Sequence, residues 1–284
     1  TVYVDSLSSD FKTVLPINSN SKMSGNMNAM EKAEMLKMFN RKYEVPYYLQ
    51  RHMSELARRD IVFIVDDSGS MGQHLDDHSI PRRDAKQIMA QTGLRVIRRW
   101  DELKYYLKIA VKLGICFDED GIDLIGLNRG KCMNCANLET VEKFFAKDPE
   151  GATPLYARLK EVLDGHVPGT QKVIVIATDG VPNDRSLKEF KKLVKSRAGR
   201  KAKEVPIVFM ICSDNDNDVD YLDSLDNCPW VGVVDDYETE KSQIRDLDRR
   251  RQYSQGGHIV NTLLNWVPDL DRMDEAQCAP CTII

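Results

Sequence analysis

The sequence predicts an α/β fold: a doubly wound, mostly parallel central sheet with helices on both faces, preceded by N-terminal helices. Three observations carry this. The runs 61–65, 173–177 and 206–212 are short and rich in β-branched and aromatic residues, as in strands buried on both faces of a parallel sheet. Stretches with helical spacing of apolar residues separate these runs, and strand–helix alternation builds parallel sheets covered on both sides. Asp66 and Asp179 lie just past the carboxyl ends of two of these runs. In such sheets, ligands bind outside the carboxyl ends of the strands, where strand order reverses.

Residues 1–27, rich in Ser and Asn, read as a loosely packed arm. Residues 28–58 read as a helical extension. Its first helix runs over 28–42 with Met30, Ala33, Leu36 and Phe39 inward. Its second is opened by Pro46 and runs to about residue 58 with Tyr48, Leu49, Met53 and Leu56 inward. The α/β domain is placed at 59–267. Residues 84–100 read as a helix. Residues 103–113 read as another, ending near Gly114 as a left-handed cap, with a strand over 107–116 as the alternative. A strand follows over 121–128, then helices over 138–145 and 153–163. A Lys-rich helix spans 186–198, and its face of Lys188, Lys191, Lys192 and Lys195 continues to Arg197, Arg200, Lys201 and Lys203. That face fits an acidic lipid or partner; the plainer reading, a solvated helix side, suits the abundance of Lys on such faces. The repeat Asp214, Asp216, Asp218 has Val219 and Leu225 where a calcium loop needs Gly and Glu, so it reads as an acidic loop before a helix over 219–225. The last strand is 230–234, a charged helix covers 240–253, and 258–266 packs back on the domain. Residues 268–284 form an acidic tail.

The chain has 284 residues and a net charge of -4, close to balanced, which argues against a general nucleic-acid binder, so no nucleic-acid partner is expected. Seven cysteines form no regular framework, which suggests reduced thiols and a cytoplasmic location. No run reaches transmembrane length, and the first residues lack the pattern of a signal peptide. Cys132 and Cys135 form one CxxC. Zinc needs four ligands, and the only comparable pair, Cys278 and Cys281, is far away, so the pair reads as two thiols on a loop.

The chemistry concentrates at the end of the first strand. Asp66, Ser68 and Ser70 alternate around Gly69, so a turn can aim three hard oxygens at one point, as a hard divalent cation requires. This Asp-x-Ser-x-Ser run resembles the metal-ion-dependent adhesion site of von Willebrand factor A domains. Two further pieces of that pattern follow in order: Thr153 in Gly151-Ala152-Thr153-Pro154, and Asp179 after the buried strand 173–177. The resemblance covers about residues 58–236. It implies Mg²⁺, with Mn²⁺ or Ca²⁺ as substitutes, held by Asp66, Ser68, Ser70, Thr153 and Asp179. It also implies a binding module rather than an enzyme, with a partner's Asp or Glu completing the metal's coordination. A hydrolase using the same ion is the alternative, and a structural subunit with a vestigial site is another. The neighbouring His74, Asp76, Asp77 and His78 read as a solvated loop rather than a second cation site. Finally, Cys281-Thr282-Ile283-Ile284 fits a prenylation box, with Cys278 a candidate for palmitoylation; two such lipids would hold the protein at the cytoplasmic face of a membrane.

Overall fold

In the computed structural model, the residues described are 29–57, 59–76, 78–117, 120–197, 200–213, 220–267 and 270. The expectations for the N-terminal arm, Asp77, the acidic repeat at 214–218, Cys278 and Cys281 lie outside them.

A six-stranded sheet is built from β1 (Asp60–Val65), β2 (Ile122–Gly126), β3 (Lys131–Cys135), β4 (Lys172–Thr178), β5 (Ile207–Ile211) and β6 (Val231–Val234). The strand order is β3-β2-β1-β4-β5-β6. All pairs are parallel except β2 with β3. The fold is therefore the expected doubly wound α/β sheet. The order runs outward in opposite directions from β1 and β4, so the switch point is the crevice between these two strands.

Side chains alternate across the sheet, and each face builds its own core. Val62, Ile64, Ile174, Ile176, Ile207 and Phe209 pack on one side. There they meet Leu155, Leu159 and Leu163 of α6 (Leu155–Asp164), and Phe190 and Val194 of α7 (Leu187–Lys195). Ile61, Phe63, Val65, Val173, Val175 and Ala177 face the other way. Their cover is α4 (Arg99–Phe117), α5 (Leu138–Phe144) and α11 (Gln255–Leu264). The extension joins this second core. Phe39 of α1 (Ala29–Lys42), Leu49 of α2 (Tyr47–Gln50) and Met53 and Leu56 of the following 3₁₀ turn are all buried there. The remaining helices are α3 (Arg82–Thr92), α8 (Arg200–Glu204), α9 (Asp223–Asp226) and α10 (Tyr237–Leu247).

Several expectations are corrected. The helix expected over 84–100 stops at Thr92, because Gly93 takes a left-handed φ of 72° and closes it. The next helix starts only at Arg99 and runs through Gly114 to Phe117. Gly114 is no cap: a Cβ there would lie 2.5 Å from Ile122 Cγ2, so glycine lets α4 close on β2. Met30 is 81% exposed and Ala33 is exposed too, so only the C-terminal half of α1 packs inward. The segment after Pro46 divides into α2 and the 3₁₀ turn instead of one helix. Cys132 and Cys135 lie on the edge strand β3, not a loop, with their sulfur atoms next to each other, and Cys116, Cys212 and Cys228 are free thiols. Arg197 does not extend a solvated Lys face. It is buried and donates to the carbonyl oxygens of Val194 and Val205. No helix among the described residues is long and apolar enough to cross a membrane.

Candidate metal centre

The rim of the β1–β4 crevice is organised by the end of β1. The Asp66 N–H donates to the Ala177 carbonyl at 2.9 Å, which continues the parallel ladder by one bond. Asp66 is therefore fixed where the two strands diverge, 1% exposed. Its Oδ1 accepts from the Ser68 N–H at 2.9 Å, and its Oδ2 from the Thr178 hydroxyl at 2.6 Å. This bond to Ser68 turns the chain sharply into the 3₁₀ turn Gly69–Gly72. Ser68 Oγ and Ser70 Oγ then stand 3.0 Å apart, and Ser70 Oγ donates to Asp179 Oδ1 at 2.8 Å. Four of the five expected donors thus form one connected group.

The fifth, Thr153, is delivered by a separate loop and joins through its backbone. The Gly69 N–H donates to the Gly151 carbonyl at 3.2 Å, tying the two loops together. Gly151 has φ of 99°, a conformation natural to glycine alone. Thr153 and Asn183 exchange two bonds: the Thr153 N–H donates to Asn183 Oδ1 at 3.0 Å, and the Asn183 N–H to the Thr153 carbonyl at 3.1 Å. Asp184 accepts from the Tyr156 and Ala157 N–H groups, capping α6 from the loop after β4. Thr153 is consequently buried at the start of α6, held between the loops that follow β1 and β4.

Asp67, directly after Asp66, has a different task. It is buried and accepts from the Asn128 N–H at 2.7 Å, the Arg129 N–H at 2.9 Å and Arg129 Nε at 2.6 Å. The Arg129 guanidinium lies 4.5 Å from the Trp100 ring centre and donates to the carbonyls of Phe144, Lys147 and Asp148. Arg98 reaches the same segment through Asp148 Oδ1 at 2.8 Å. Asp67, Arg98 and Arg129 therefore anchor the segment that leads to Gly151 and Thr153.

Burial drives the electrostatics. Loss of water pushes the Asp66 carboxyl up to about 6, with the Thr178 hydrogen bond opposing and the nearby Asp179 charge adding to the rise. Two carboxylates that repel each other in a dry crevice form a place a divalent cation relieves. The donors are all hard oxygens, three of them uncharged hydroxyls, which matches the preferences of Mg²⁺ and leaves charge on the ion for a further ligand. The residues present fit such an ion. One group was not foreseen: Arg99 Nη1 donates to Asp179 Oδ2 at 3.0 Å, with side chains 5% and 0% exposed. A sequence signal existed, because basic residues are disfavoured in the first turn of a helix, and Arg98-Arg99 opens α4. Thr178, Asn183 and Asp184 were also missed; ordinary turn and strand residues such as these carry no motif of their own.

Of the loop weighed for a second cation site, His74, Asp76 and His78 are described. His74 and Asp76 are exposed and 3.6 Å apart. Among the described residues, no three His, Cys, Asp or Glu side chains converge as metal ligands.

Fold and site together define an α/β protein with a hydroxyl- and carboxylate-lined rim at its switch point. No protein-family model matches the chain, and no curated protein matches it. Among solved structures it is similar to proximal thread matrix protein 1 from the mussel byssus, at 15% identity and a TM-score of 0.39, over 66% of this chain. The matched region is 46% of that protein, so this chain spans less than half its length.

Proposed function

We propose that this chain is a von Willebrand factor A-like binding module. In this reading Asp66, Ser68, Ser70, Thr153 and Asp179 hold Mg²⁺ at the β1–β4 crevice, and the ion captures an Asp or Glu of a partner protein. The supporting observation is the hydrogen-bonded chain Ser68–Ser70–Asp179 beside the buried Asp66 at the topological switch point. The ion supplies Lewis acidity toward one anionic ligand. The protein's part is to orient the donors: Thr178 aims Asp66, Ser70 aims Asp179, and Asn183 fixes the Thr153 backbone. No phosphate-cradling loop or covalent nucleophile accompanies the donors, so the reading is binding and not turnover.

A thermal melt tests this directly. A ligand that binds only the folded state raises the melting temperature with concentration. Millimolar Mg²⁺ is expected to raise it by several degrees in the native protein and not at all in Asp66→Ala. An equal rise in both would remove the site from consideration.

A further inference from the structure

The edge strand β3 holds Cys132 and Cys135 as a pair, and a bulge brings them together. In a regular strand, residues three apart point to opposite faces of the sheet. Here Cys135 stands opposite Ile122 and Cys132 opposite Leu124, so three steps along β3 match two along β2. The extra residue turns both cysteines to one core: Cys135 is fully buried in it, and the half-buried Cys132 packs against it. Their Cα atoms lie 6.4 Å apart, within the span a disulfide bridges. We propose that Cys132 and Cys135 form a reversible dithiol–disulfide site that exchanges with small thiols and disulfides. This site does not depend on the metal reading.

Local structure fixes this geometry. Asn134 takes a φ of 57°, a left-handed conformation that asparagine tolerates and β-branched residues resist. Its N–H donates to Asp123 Oδ1 at 2.9 Å, tying the bulge to β2. Gly121, with a φ of 92°, lets the chain pass where a Cβ would collide with the Cys135 carbonyl. In the dithiol form the Cys135 thiol has an acceptor, the Cys132 carbonyl oxygen at 3.3 Å. Burial and position divide the roles. β3 is the outermost strand on its side of the sheet and Cys132 is the less buried of the pair, so Cys132 meets the incoming reagent. Its thiolate attacks one sulfur of a small disulfide, forming a mixed disulfide and releasing one thiol. The Cys135 sulfur then attacks the Cys132 sulfur and releases the second thiol. The pair loses two electrons and two protons, and the small disulfide gains both as it becomes two thiols. A small thiol in excess runs the same steps backwards.

The test equilibrates the full chain with reduced and oxidised glutathione at graded ratios, quenches it with acid, alkylates the free thiols and reads masses. Trypsin cuts after Lys131 and Lys143, which places Cys132 and Cys135 in one peptide with no other cysteine. Both thiols are expected to pass together from alkylated to bonded as oxidised glutathione rises, and to return when dithiothreitol is added to the folded protein. Cys135→Ser should collect glutathione on Cys132, and Cys132→Ser should leave Cys135 unmodified. Asn134→Val, which resists the left-handed turn, is expected to lower the equilibrium constant for ring closure about tenfold, with Asn134→Gly near the native protein. Three results on the native chain would each overturn the proposal: a peptide that stays a dithiol at every ratio, independent uptake of glutathione by the two cysteines, or a bond that the folded protein keeps in excess dithiothreitol, as a permanent structural cross-link would. These need no variant, so a substitution that fails to fold leaves the test intact.

Discussion

Asp66 and Asp67 are consecutive, equally buried and chemically identical, yet their surroundings give them opposite effects on stability. Asp66 accepts two hydrogen bonds from neutral groups and lies near a second carboxylate. Its carboxyl sits at about 6 instead of the ordinary 3.8, so above that pH the metal-free fold bears a buried charge that the unfolded chain hydrates freely. Asp67 is bonded by two backbone N–H groups and by the Arg129 guanidinium. At pH 8 without metal, Asp66→Asn is therefore expected to stabilise the fold by about 1–2 kcal/mol, the relief of charge exceeding one lost hydrogen bond. Asp67→Ala is expected to cost about 3–5 kcal/mol, since it strands a partly buried guanidinium. Urea melts of both variants check the pair. Destabilisation by Asp66→Asn would contradict the view that this carboxylate is held at a cost until a cation arrives.

At the scale of elements, the rim depends on loops that meet from distant parts of the chain. Gly151 is the tightest junction. Its φ of 99° and the approach of Asn128, 2.8 Å from where a Cβ would stand, leave no room for another residue. Asn128 Nδ2 also donates to Asp67 and to the Ala152 carbonyl. Gly151→Ala is expected to destabilise the protein by about 1–3 kcal/mol and to abolish the Mg²⁺-dependent rise in melting temperature, both read in one melt series. If that rise survives, the loop does not set the proposed site.

Much of this scale was legible in the sequence, for definite reasons. Runs such as 61–65 and 173–177 have a single physical reading, and Asp-x-Ser-x-Ser after the first of them marks the crevice. What was not legible came from long-range fit. The edge strand β3 has exposed Lys131 and Met133 and no apolar pattern; it forms because β2 offers an open ladder beside it. Gly114 reads as a helix end by propensity, and only its distance to Ile122 explains its place inside α4. Arg99 could be suspected from its position in a helix's first turn, but its bond to Asp179 spans 80 residues.

Over the whole molecule, buried ionisable groups give stability a definite dependence on pH. Glu102 accepts two bonds from Ser79 and is pushed by burial from 4.5 to about 7. His258, on the buried helix α11 and bonded to the Tyr253 hydroxyl, is pushed by burial from 6.5 to about 3. The signs differ. A raised carboxyl contributes stability below its unfolded value that is lost as pH rises through its folded value. A lowered histidine contributes stability at neutral pH that is lost as pH falls below 6.5. Asp66 adds to the first class and His258 opposes it. The metal-free protein is expected to lose stability overall between pH 4.5 and 7. Glu102→Gln should flatten the upper part of that fall, and chemical denaturation at half-unit pH steps would show it. A stability that climbs over this range would refute the assignment.

The helix α11 is buried along nearly its whole length and packs against β4, β5, β6 and α4. Every strand of the sheet precedes it in the chain, so on the ribosome the six strands emerge before the wedge that seals one of their faces. Until residue 264 leaves the exit tunnel, the nascent protein carries Val173, Val175 and Val208 with that cover missing. Assembly of this half of the molecule therefore waits for α11, and the interval before that helix docks is when a growing chain would most need shielding from its neighbours.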